Sequence, residues 1–434
     1  MTGLRRLFGY TFWVVVNVQL FGVQTAELIH KGEVHEEECR TLEDLSKFRP
    51  QEKVNLSQYG GWKKKKFNRT GFFHAFKDDE RWWLIDPDGY AFFSLGVNSV
   101  NLGNLKRTTT PNDQEVAWGE RTSAMLRGFG FNTLGCWSDA PVVQEITKPM
   151  PYCLRWNFMP GYRNQRRSKY PSTGKFNTIY PFDEEFGPFC IKHAESAQKT
   201  QNDPWLFGHF SDNELTFTEK GIVKEYLKHP PNDPNHMAAK KFMADRGRKE
   251  ANAKDDSDFL KLVVDTYYRK VSAALKRNDP NHMFLGSRFH GRALDSPALF
   301  LGSGKHTDLI SVNYYHRWTP ESERIGNWST LADKPILITE FYAMAKDTGL
   351  PTHKGAGFKV KAQQDRAYFY QHFALGLLEN KNCVGWHWFR YRDGWTNTGI
   401  VNEKEKPYPL LTQAMQKINQ QAYSLVEFFT SSQE

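Results

Sequence analysis

Two stretches of the chain decide its fold: residues 206–214 read LFGHFSDNE and residues 336–342 read ILITEFY. In each stretch, an apolar run of strand length leads directly into polar residues that include a glutamate, Glu214 in the first and Glu340 in the second. The active sites of parallel α/β barrels lie at the carboxyl ends of the strands. The two stretches therefore predict strands of one barrel whose ends bring two carboxylates to the same mouth.

Apolar runs of similar length recur along the chain. Together with the two runs above, the predicted strands cover residues 92–98, 133–137, 152–156, 206–210, 283–288, 309–313, 336–339 and 384–388. Helical patterns lie between several of them, as at 257–276 and 361–378, and the average unit of about 42 residues suits repeated strand-plus-helix units. The sequence therefore predicts an α/β fold of the (β/α)8 TIM barrel type, with Glu214 after the fourth strand and Glu340 after the seventh.

The chain before the first barrel strand has a different pattern. Strand-like runs at 72–76 and 82–85, closed by the turn DPDG at 86–89, predict a β-hairpin that acts as a plug. We therefore divide the chain into a signal peptide at 1–26, a polar N-terminal extension at 27–70, a barrel domain with its leading hairpin at 71–425 and a C-terminal tail at 426–434.

The first 26 residues are typical of a secretory signal peptide. Arg5 and Arg6 precede a largely apolar stretch at 7–23, and Ala26 offers a small residue for cleavage. Gln24 makes the cleavage motif imperfect, so an uncleaved membrane anchor is the alternative. In either case we expect the body of the protein to lie outside the cytoplasm, as a secreted or extracellular protein or as a periplasmic or membrane-anchored one.

The composition excludes several classes of protein. A mean hydropathy of −0.65 excludes a polytopic membrane protein, and 39% hydrophobic residues in a chain of 434 allow a large core. The formal net charge is +9, but the basic residues are scattered apart from the lysines at 63–66, and no nucleic-acid-binding motif accompanies them. We therefore expect no nucleic-acid partner. Aromatic residues make up 15% of the chain, which favours a flat ligand such as a sugar.

Two carboxylates at one barrel mouth can flank a glycosidic bond, where one protonates the leaving oxygen and the other attacks the anomeric carbon. The 14 histidines form neither an HExxH motif nor a pair at metal-ligand spacing at a strand end, so we expect no metal and no cofactor. A serine esterase would need a GxSxG motif, which the sequence lacks. The rival from another class is a non-catalytic carbohydrate-binding protein, which has no requirement for both carboxylates.

Four segments carry a resemblance to a known family. They are GFF at 71–73, RWWLIDPDG at 81–89, FGHFSDNEL at 207–215 and HWFRYRD at 387–393. They are similar to the β-agarases of glycoside hydrolase family 50 and their agarase-like relatives, while the strand ends with Glu214 and Glu340 resemble clan A glycoside hydrolases. The resemblance covers roughly residues 71–425. Family 50 enzymes usually carry an additional N-terminal β domain, for which residues 27–70 are too few.

The resemblance implies a function. It makes Glu214 the acid/base and Glu340 the nucleophile of a retaining hydrolase that acts on β-linked galactose polymers of the agarose type. It also implies that Asn213 binds the hydroxyl beside the anomeric carbon and that Tyr315 holds the nucleophile, with Tyr314 as the competing residue. The alternative is the same mechanism on another β-glycan, as in a β-galactosidase, β-glucanase or β-mannanase. A polysaccharide or oligosaccharide is the expected partner, and the oligomeric state stays open.

The remaining strand ends are expected to line sugar subsites. These candidates are Asn98, Trp137, Arg288 and His290. At the eighth strand, side-chain alternation puts Trp386 and Trp388 on one face and His387 on the other. We expect Trp388, which is nearest the strand exit, to be a stacking platform under the sugar. A buried core tryptophan is the competing interpretation of both residues.

Overall fold

The computed structural model describes residues 24–79, 81–103, 110–171 and 178–431. Its strands are β1 (Gln24–His30), β2 (Glu33–Cys39), β3 (Trp62–Lys66), β4 (His74–Asp78), β5 (Arg81–Ile85), β6 (Tyr90–Phe92), β7 (Ser94–Val97), β8 (Thr133–Leu134), β9 (Tyr152–Arg155), β10 (Leu206–Phe210), β11 (Met283–Gly286), β12 (Ile310–Asn313), β13 (Ile336–Phe341), β14 (Ala343–Ala345), β15 (Phe358–Val360) and β16 (Cys383–Trp388). Its helices are α1 (Asp113–Gly128), α2 (Ala140–Glu145), α3 (Phe158–Arg166), α4 (Phe186–His193), α5 (Ile222–Leu227), α6 (Pro234–Asp245), α7 (Ala253–Asn278), α8 (Pro297–Ser303), α9 (Ser322–Ala332), α10 (Gln363–Glu379), α11 (Pro409–Asn419) and α12 (Ala422–Ser431).

Eight parallel strands form a nearly closed barrel in the order β11-β10-β9-β8-β7-β16-β13-β12. They correspond to the eight apolar runs of the sequence, which confirms the predicted TIM barrel. The two end strands meet through a bridge between Phe289 and Val312, where the Phe289 amide donates to the carbonyl oxygen of Ser311 at 2.8 Å. This bridge replaces a full ladder between β11 and β12.

A four-stranded sheet in the order β3-β6-β5-β4 lies at the amino-terminal end of the barrel, since β6 runs directly into β7. Phe73 and Leu84 of this sheet region belong to one buried cluster with barrel residues such as Phe207 and Leu285. The ring of Phe73 packs 5.4 Å from that of Phe207. The hairpin of β4 and β5 thus fills the barrel floor, as the sequence pattern predicted.

A third sheet, in the order β14-β15-β1-β2, connects the start of the described chain to the loop after β13. β1 pairs along its whole length with β2, and Leu28 of β1 pairs with Val360 of β15. Most of the predicted signal peptide lies outside the described residues, but residues 24–26 begin β1 and Ala26 is buried there. The predicted extension at 27–70 therefore contributes strands to two sheets.

Among the described residues the longest helix is α7, which begins within the charged segment at 240–256. Asn252 Oδ1 accepts a hydrogen bond from the Asp255 amide at 2.9 Å, and the Asp255 carboxylate accepts one from the Asn252 amide at 3.0 Å. This reciprocal capping box satisfies backbone donors that the first helical turn leaves free. The apolar face of α7 then packs against α4 and α8, so the charged residues form the start of a structural helix.

The predicted C-terminal tail at 426–434 is instead helical as far as Ser431. Val426 and Phe429 of α12 are buried, and the ring of Phe428 packs 5.5 Å from that of Phe48. These apolar contacts stabilise α12 as far as Ser431. Among the helices of the described residues, none has the length and apolar character that crossing a bilayer requires.

Candidate active site

Glu214 lies directly beyond the end of β10, with its backbone in the left-handed region at φ 53°. Its amide donates to the carbonyl oxygen of Ser287 at 3.1 Å, and Asn313 Nδ2 donates to Glu214 Oε1 at 2.8 Å. A positive φ is uncommon for a residue with a side chain and needs such support. The side chain is half-buried and lines a groove of about 900 Å³, so its carboxyl group is accessible to a bound molecule.

Glu340 lies near the end of β13 and is only 5% exposed. The hydroxyl of Tyr315 donates to its Oε2 at 2.5 Å, and Arg288 Nη2 donates to its Oε1 in a close ion pair. Each carboxylate oxygen therefore has a donor on a different barrel loop. These two donors fix the orientation of the Glu340 carboxylate.

Arg288 follows β11 and is fully buried, with its backbone at φ 57°. Besides its ion pair with Glu340, its Nε donates to Asn213 Oδ1 at 2.8 Å. The guanidinium carbon lies 4.6 Å from the centre of the Trp137 ring. Nη1 is buried and has no hydrogen-bond partner among the described residues. One guanidinium group thus ties the end of β10 to β13 across the mouth and keeps one donor free.

These contacts bring the two predicted carboxylates to one hydrogen-bonded network. Arg288 joins Glu340 to Asn213, which directly precedes Glu214, while Asn313 donates to Glu214 from the sixth barrel strand β12. Asn313 was not among the predicted site residues. Its signal in the sequence was that alternation puts it on the same face as Tyr315, one strand before Glu340.

Opposing effects act on the pKa of Glu340. Burial is the largest and raises the pKa above its ordinary value, and the charge of Glu214 adds to this. The Arg288 guanidinium and the Tyr315 hydroxyl favour the ionised form and lower the pKa. The net direction is upward. The ionised form of Glu340 therefore depends on Arg288 and Tyr315.

The structure separates the two adjacent tyrosines. Tyr315 donates to Glu340, whereas the buried Tyr314 donates its hydroxyl to Glu321 at 2.7 Å and packs against Trp328. Side chains that alternate along a strand point to opposite faces, so only one of the two reaches the barrel mouth. Tyr315 is the one that contacts the Glu340 carboxylate.

The other predicted subsite residues lie in different environments. Asn98 is buried and structural, since its Nδ2 donates to the Thr339 carbonyl at 2.8 Å and its Oδ1 accepts from the Cys136 amide at 2.9 Å. Trp137 is half-buried, and its ring packs against the Arg288 guanidinium. His290 lines the groove of Glu214. Asn98 therefore links the end of β7 to β13 and to the residues after β8, and its predicted place in a subsite is wrong.

The prediction for Trp388 is also wrong. Its side chain is fully buried, its indole N–H donates to the Thr398 carbonyl at 2.9 Å, and its ring packs against Phe341 and Tyr370. Tyr370 belongs to α10, so the tryptophan face of β16 is the one that packs against the surrounding helices. A ring enclosed in this way cannot stack on a sugar.

A second cleft at the mouth contains a tryptophan that the predictions missed. This cleft has a volume of about 890 Å³ and is lined by residues that follow the first, seventh and eighth barrel strands. Trp395, in the loop after β16, is 86% exposed there, whereas the next most exposed large hydrophobic residue, Val34, is 53% exposed. The sequence signal was a tryptophan flanked by Gly394 and Thr396 in a polar loop.

His209, Asp279 and His282 form a buried cluster whose potential ligand atoms lie within 4.8 Å of one another. Their nitrogen atoms already have protein partners. His209 accepts from the Trp156 indole at 3.2 Å and faces Asp279 at 2.8 Å, while His282 faces Asp279 at 2.8 Å and the Asp203 carbonyl at 2.8 Å. We interpret the cluster as a structural hydrogen-bond network.

Known proteins are similar to the chain in sequence. No protein-family model matches it. It is 26% identical to β-agarase B and 25% identical to β-agarase A, both of Vibrio sp. (strain JT0107), over 94% and 80% of its own length. Because these alignments cover 54% and 45% of the two agarases, the chain spans about half the length of the curated relatives it matches.

Solved structures extend the similarity. BpGH50 has a TM-score of 0.85 at 29% identity and covers 94% of this chain and 96% of its own. PfGH50B and an exo-β-agarase share the fold, with TM-scores of 0.73 and 0.71 at 22% and 20% identity; each comparison covers 87% of this chain, and 70% and 68% of the respective relative. By sequence and by fold, the chain is therefore a homologue of the GH50 β-agarases.

Proposed function

We propose that the protein is a retaining glycoside hydrolase of the clan A type that cleaves β-linked galactose polymers such as agarose. One observation carries this proposal: Glu340 is oriented by Arg288 and Tyr315, and the same guanidinium binds the residue before Glu214. A carboxylate held in one orientation suits a nucleophile and an accessible one suits an acid/base, and these are the two roles in double displacement. The similarity to the β-agarases supports the choice of polymer.

In the first step a Glu340 oxygen bonds to the anomeric carbon as the bond to the leaving sugar oxygen breaks, and Glu214 gives its proton to that oxygen. In the second step a water oxygen bonds to the anomeric carbon, a water proton passes to Glu214, and the ester bond to Glu340 breaks. Two inversions give net retention. We expect the two carboxyl groups to be about 5 to 5.5 Å apart, as in other retaining enzymes.

The surroundings of the two carboxyl groups support this division of roles. Glu214 lines an open groove, so its proton can be exchanged with a leaving group or a water molecule. Glu340 is enclosed and bonded to a cation, which favours a group that reacts as an anion and does not transfer protons. Asn213, fixed by Arg288, is proposed to bind the hydroxyl beside the anomeric carbon.

Two alternatives remain to be tested against this proposal. The same mechanism on another β-glycan would leave the carboxylate network unchanged and alter only the grooves. A non-catalytic carbohydrate-binding protein has no requirement for both Glu214 and Glu340. The presence of both carboxylates at one barrel mouth therefore favours an enzyme. An exported location fits a polymer that is too large to enter a cell.

The decisive experiment incubates the full chain with agarose, laminarin, mannan and galactan and follows the products. Wild-type protein should release oligosaccharides from agarose, and Glu340→Gln, which keeps the shape but removes the charge, should release none. Proton NMR of the first products should show the retained anomer. An initially inverted anomer would refute double displacement, cleavage of laminarin alone would refute the substrate, and binding without turnover would support the carbohydrate-binding alternative.

A further inference from the structure

The cleft that contains Trp395 lies at the same barrel mouth as the carboxylates, on the other side from the groove of Glu214. Residues after the fourth and fifth barrel strands line the groove, as at 214–220 and 290–296. The cleft is lined by residues after the first, seventh and eighth strands, including Asn101, Leu350 and Trp395. Glu340, on the seventh strand, therefore lies on the side of the mouth that borders the cleft.

The loop that carries Trp395 is held by hydrogen bonds between the segments on either side of the indole. Asp393 is buried and accepts hydrogen bonds from the Gly399 amide at 2.7 Å and the Tyr408 hydroxyl at 2.5 Å. The Arg390 amide donates to the Thr398 carbonyl at 3.1 Å. An exposed indole on a loop with these internal bonds loses little conformational freedom when a ligand binds.

Arg390 supplies a polar group in the same cleft. Its Nε donates to the Arg392 carbonyl at 2.8 Å, and Asp393, which lines the same cleft, attracts its positive charge. A Cβ atom on Gly394 would lie 2.4 Å from Arg390 Nη2, so glycine at this position allows the guanidinium to lie against the loop next to Trp395. The cleft thus combines an apolar ring face with hydrogen-bond donors, which is the chemistry that recognises a sugar ring.

The roles of the two glutamates decide which part of the substrate the groove and the cleft would each bind. The acid/base protonates the leaving sugar oxygen, so the groove beside Glu214 would receive the leaving part of the chain. The cleft on the opposite side of Glu340 would then receive the part that carries the reacting anomeric carbon.

We propose that Trp395 and Arg390 form a remote subsite that binds a pyranose ring on the glycone side of the polysaccharide. The apolar face of the ring would stack on Trp395, and its hydroxyl groups would accept from Arg390. This inference rests on the proposed function, because the assignment of sides uses the roles of Glu214 and Glu340. It extends the site beyond the carboxylates to a cleft of about 890 Å³.

The test measures binding without turnover. Agarose oligosaccharides of increasing length are titrated calorimetrically into Glu340→Gln and into Glu340→Gln combined with Trp395→Ala. Affinity for the single variant should rise once the oligosaccharide is long enough to reach Trp395. The double variant should lose that rise, which we expect to be about tenfold, equivalent to about 1.4 kcal/mol. Trp395→Phe in the same background should keep part of it.

Phe76→Ala is the matched control, because Phe76 is an exposed aromatic residue on the sheet at the opposite end of the barrel. This variant should retain the full rise of affinity with length. An equal rise in the presence and absence of the Trp395 indole would overturn the inference, even if wild-type protein cleaves agarose. If no oligosaccharide bound the Glu340→Gln protein and wild-type protein did not cleave agarose, the proposed function itself would fail.

Discussion

Arg288 donates to Glu340 from a side chain that solvent does not reach, and the carboxylate it neutralises is itself nearly fully buried. The charge of Glu340 is therefore stabilised by one guanidinium and one hydroxyl inside the protein. A buried charge that loses its partner is strongly unfavourable. The contact thus links the stability of the barrel mouth to the ionisation of the proposed nucleophile.

We predict that Arg288→Ala moves the acidic limb of the pH–rate profile to higher pH. The positive charge that lowers the pKa of Glu340 is lost, while burial continues to raise it. The ionised form then requires a higher pH, and kcat should fall at least about 100-fold at neutral pH. Arg288→Lys keeps a positive charge, so its acidic limb and its kcat at neutral pH should lie between those of the wild type and Arg288→Ala. The profile of kcat against pH on agarose checks both variants.

The control for this prediction is Arg166→Ala. Arg166 is also buried and forms ion pairs with Asp183 and Asp233, but it does not contact the carboxylate network. Both arginine variants should lose about 3 to 5 kcal/mol of unfolding free energy in urea, because each leaves a buried carboxylate without its partner. Only Arg288→Ala should move the acidic limb. If Arg166→Ala moved it equally, the shift would reflect lost stability.

The adjacent tyrosines give a second prediction. Tyr315→Phe removes the hydroxyl that donates to Glu340, and kcat should fall about 10- to 100-fold, the range for a hydrogen bond to a charged group of about 1.5 to 3 kcal/mol. Tyr314→Phe removes a hydroxyl that contacts Glu321 instead, so it should change the unfolding free energy and leave kcat near wild type. Steady-state kinetics on one agarose oligosaccharide compares the pair. Equal losses of kcat would show that the contact with Glu340 has no special role.

Glu214→Ala should discriminate between substrates according to their leaving groups. Cleavage of agarose should fall about 10²- to 10⁴-fold, the range for losing a general acid, whereas an aryl glycoside with an activated leaving group needs no proton and should be spared in the glycosylation step. Glu225→Ala, an exposed residue paired with Lys228, serves as the control and should affect neither substrate. Equal losses on both substrates for Glu214→Ala would contradict its role as the acid.

The buried histidine cluster predicts lower stability in acid. Burial lowers the pKa of His209, so the unfolded chain binds a proton at higher pH than the folded one, and stability falls as the pH drops through the ordinary histidine range of about 6.5. The pKa of Asp279 is held low by His209 and His282 despite its burial. Its contribution to the free energy of unfolding is therefore present above about pH 4, and it is lost as the pH falls through the lower pKa of the folded state.

Asp279→Asn tests this account. It should reduce the unfolding free energy at pH 7 by about 1.5 to 3 kcal/mol, since it weakens charge-assisted hydrogen bonds to two buried histidines. Asp245→Asn, which weakens an exposed ion pair with Lys241, should change the unfolding free energy by less than about 1 kcal/mol. Urea unfolding between neutral and mildly acidic pH gives both values. A wild-type stability that does not vary over this pH range would show that the cluster is not linked to protonation.

The barrel and its two glutamates could be predicted because both depend on local pattern. Strands of a parallel sheet are buried on both faces, so each gives a continuous apolar run, and a polar residue directly after the run marks the mouth. Glu214 and Glu340 carry that signal. The resemblance implied a tyrosine at the end of β12 that holds the nucleophile, and side-chain alternation put Tyr315 and Tyr314 on opposite faces without deciding which of them lines the mouth.

Other features depend on information that local pattern does not contain. Alternation places Trp386 and Trp388 on one face but does not say which face lines the barrel, because helices bury the outer face as completely as the barrel buries the inner one. Trp395 lies in a loop, where no periodicity applies. The direction of the Arg288 side chain could not be predicted, because Gly286 and Arg288 both have positive φ and break the regular alternation of side chains after β11.

The ladder between Leu28 and Val360 has a consequence for the order in which the protein forms. A chain is synthesised from its amino terminus, so β1 and β2 emerge before β15 and until then can only form a hairpin, which is marginally stable in water by itself. Their partner β15 is made much later, after the segment that contains Glu340. Nascent chains should therefore present an unpaired edge on β1 until most of the barrel has been synthesised, and the sheet is completed when β15 pairs with a strand made before the barrel strands.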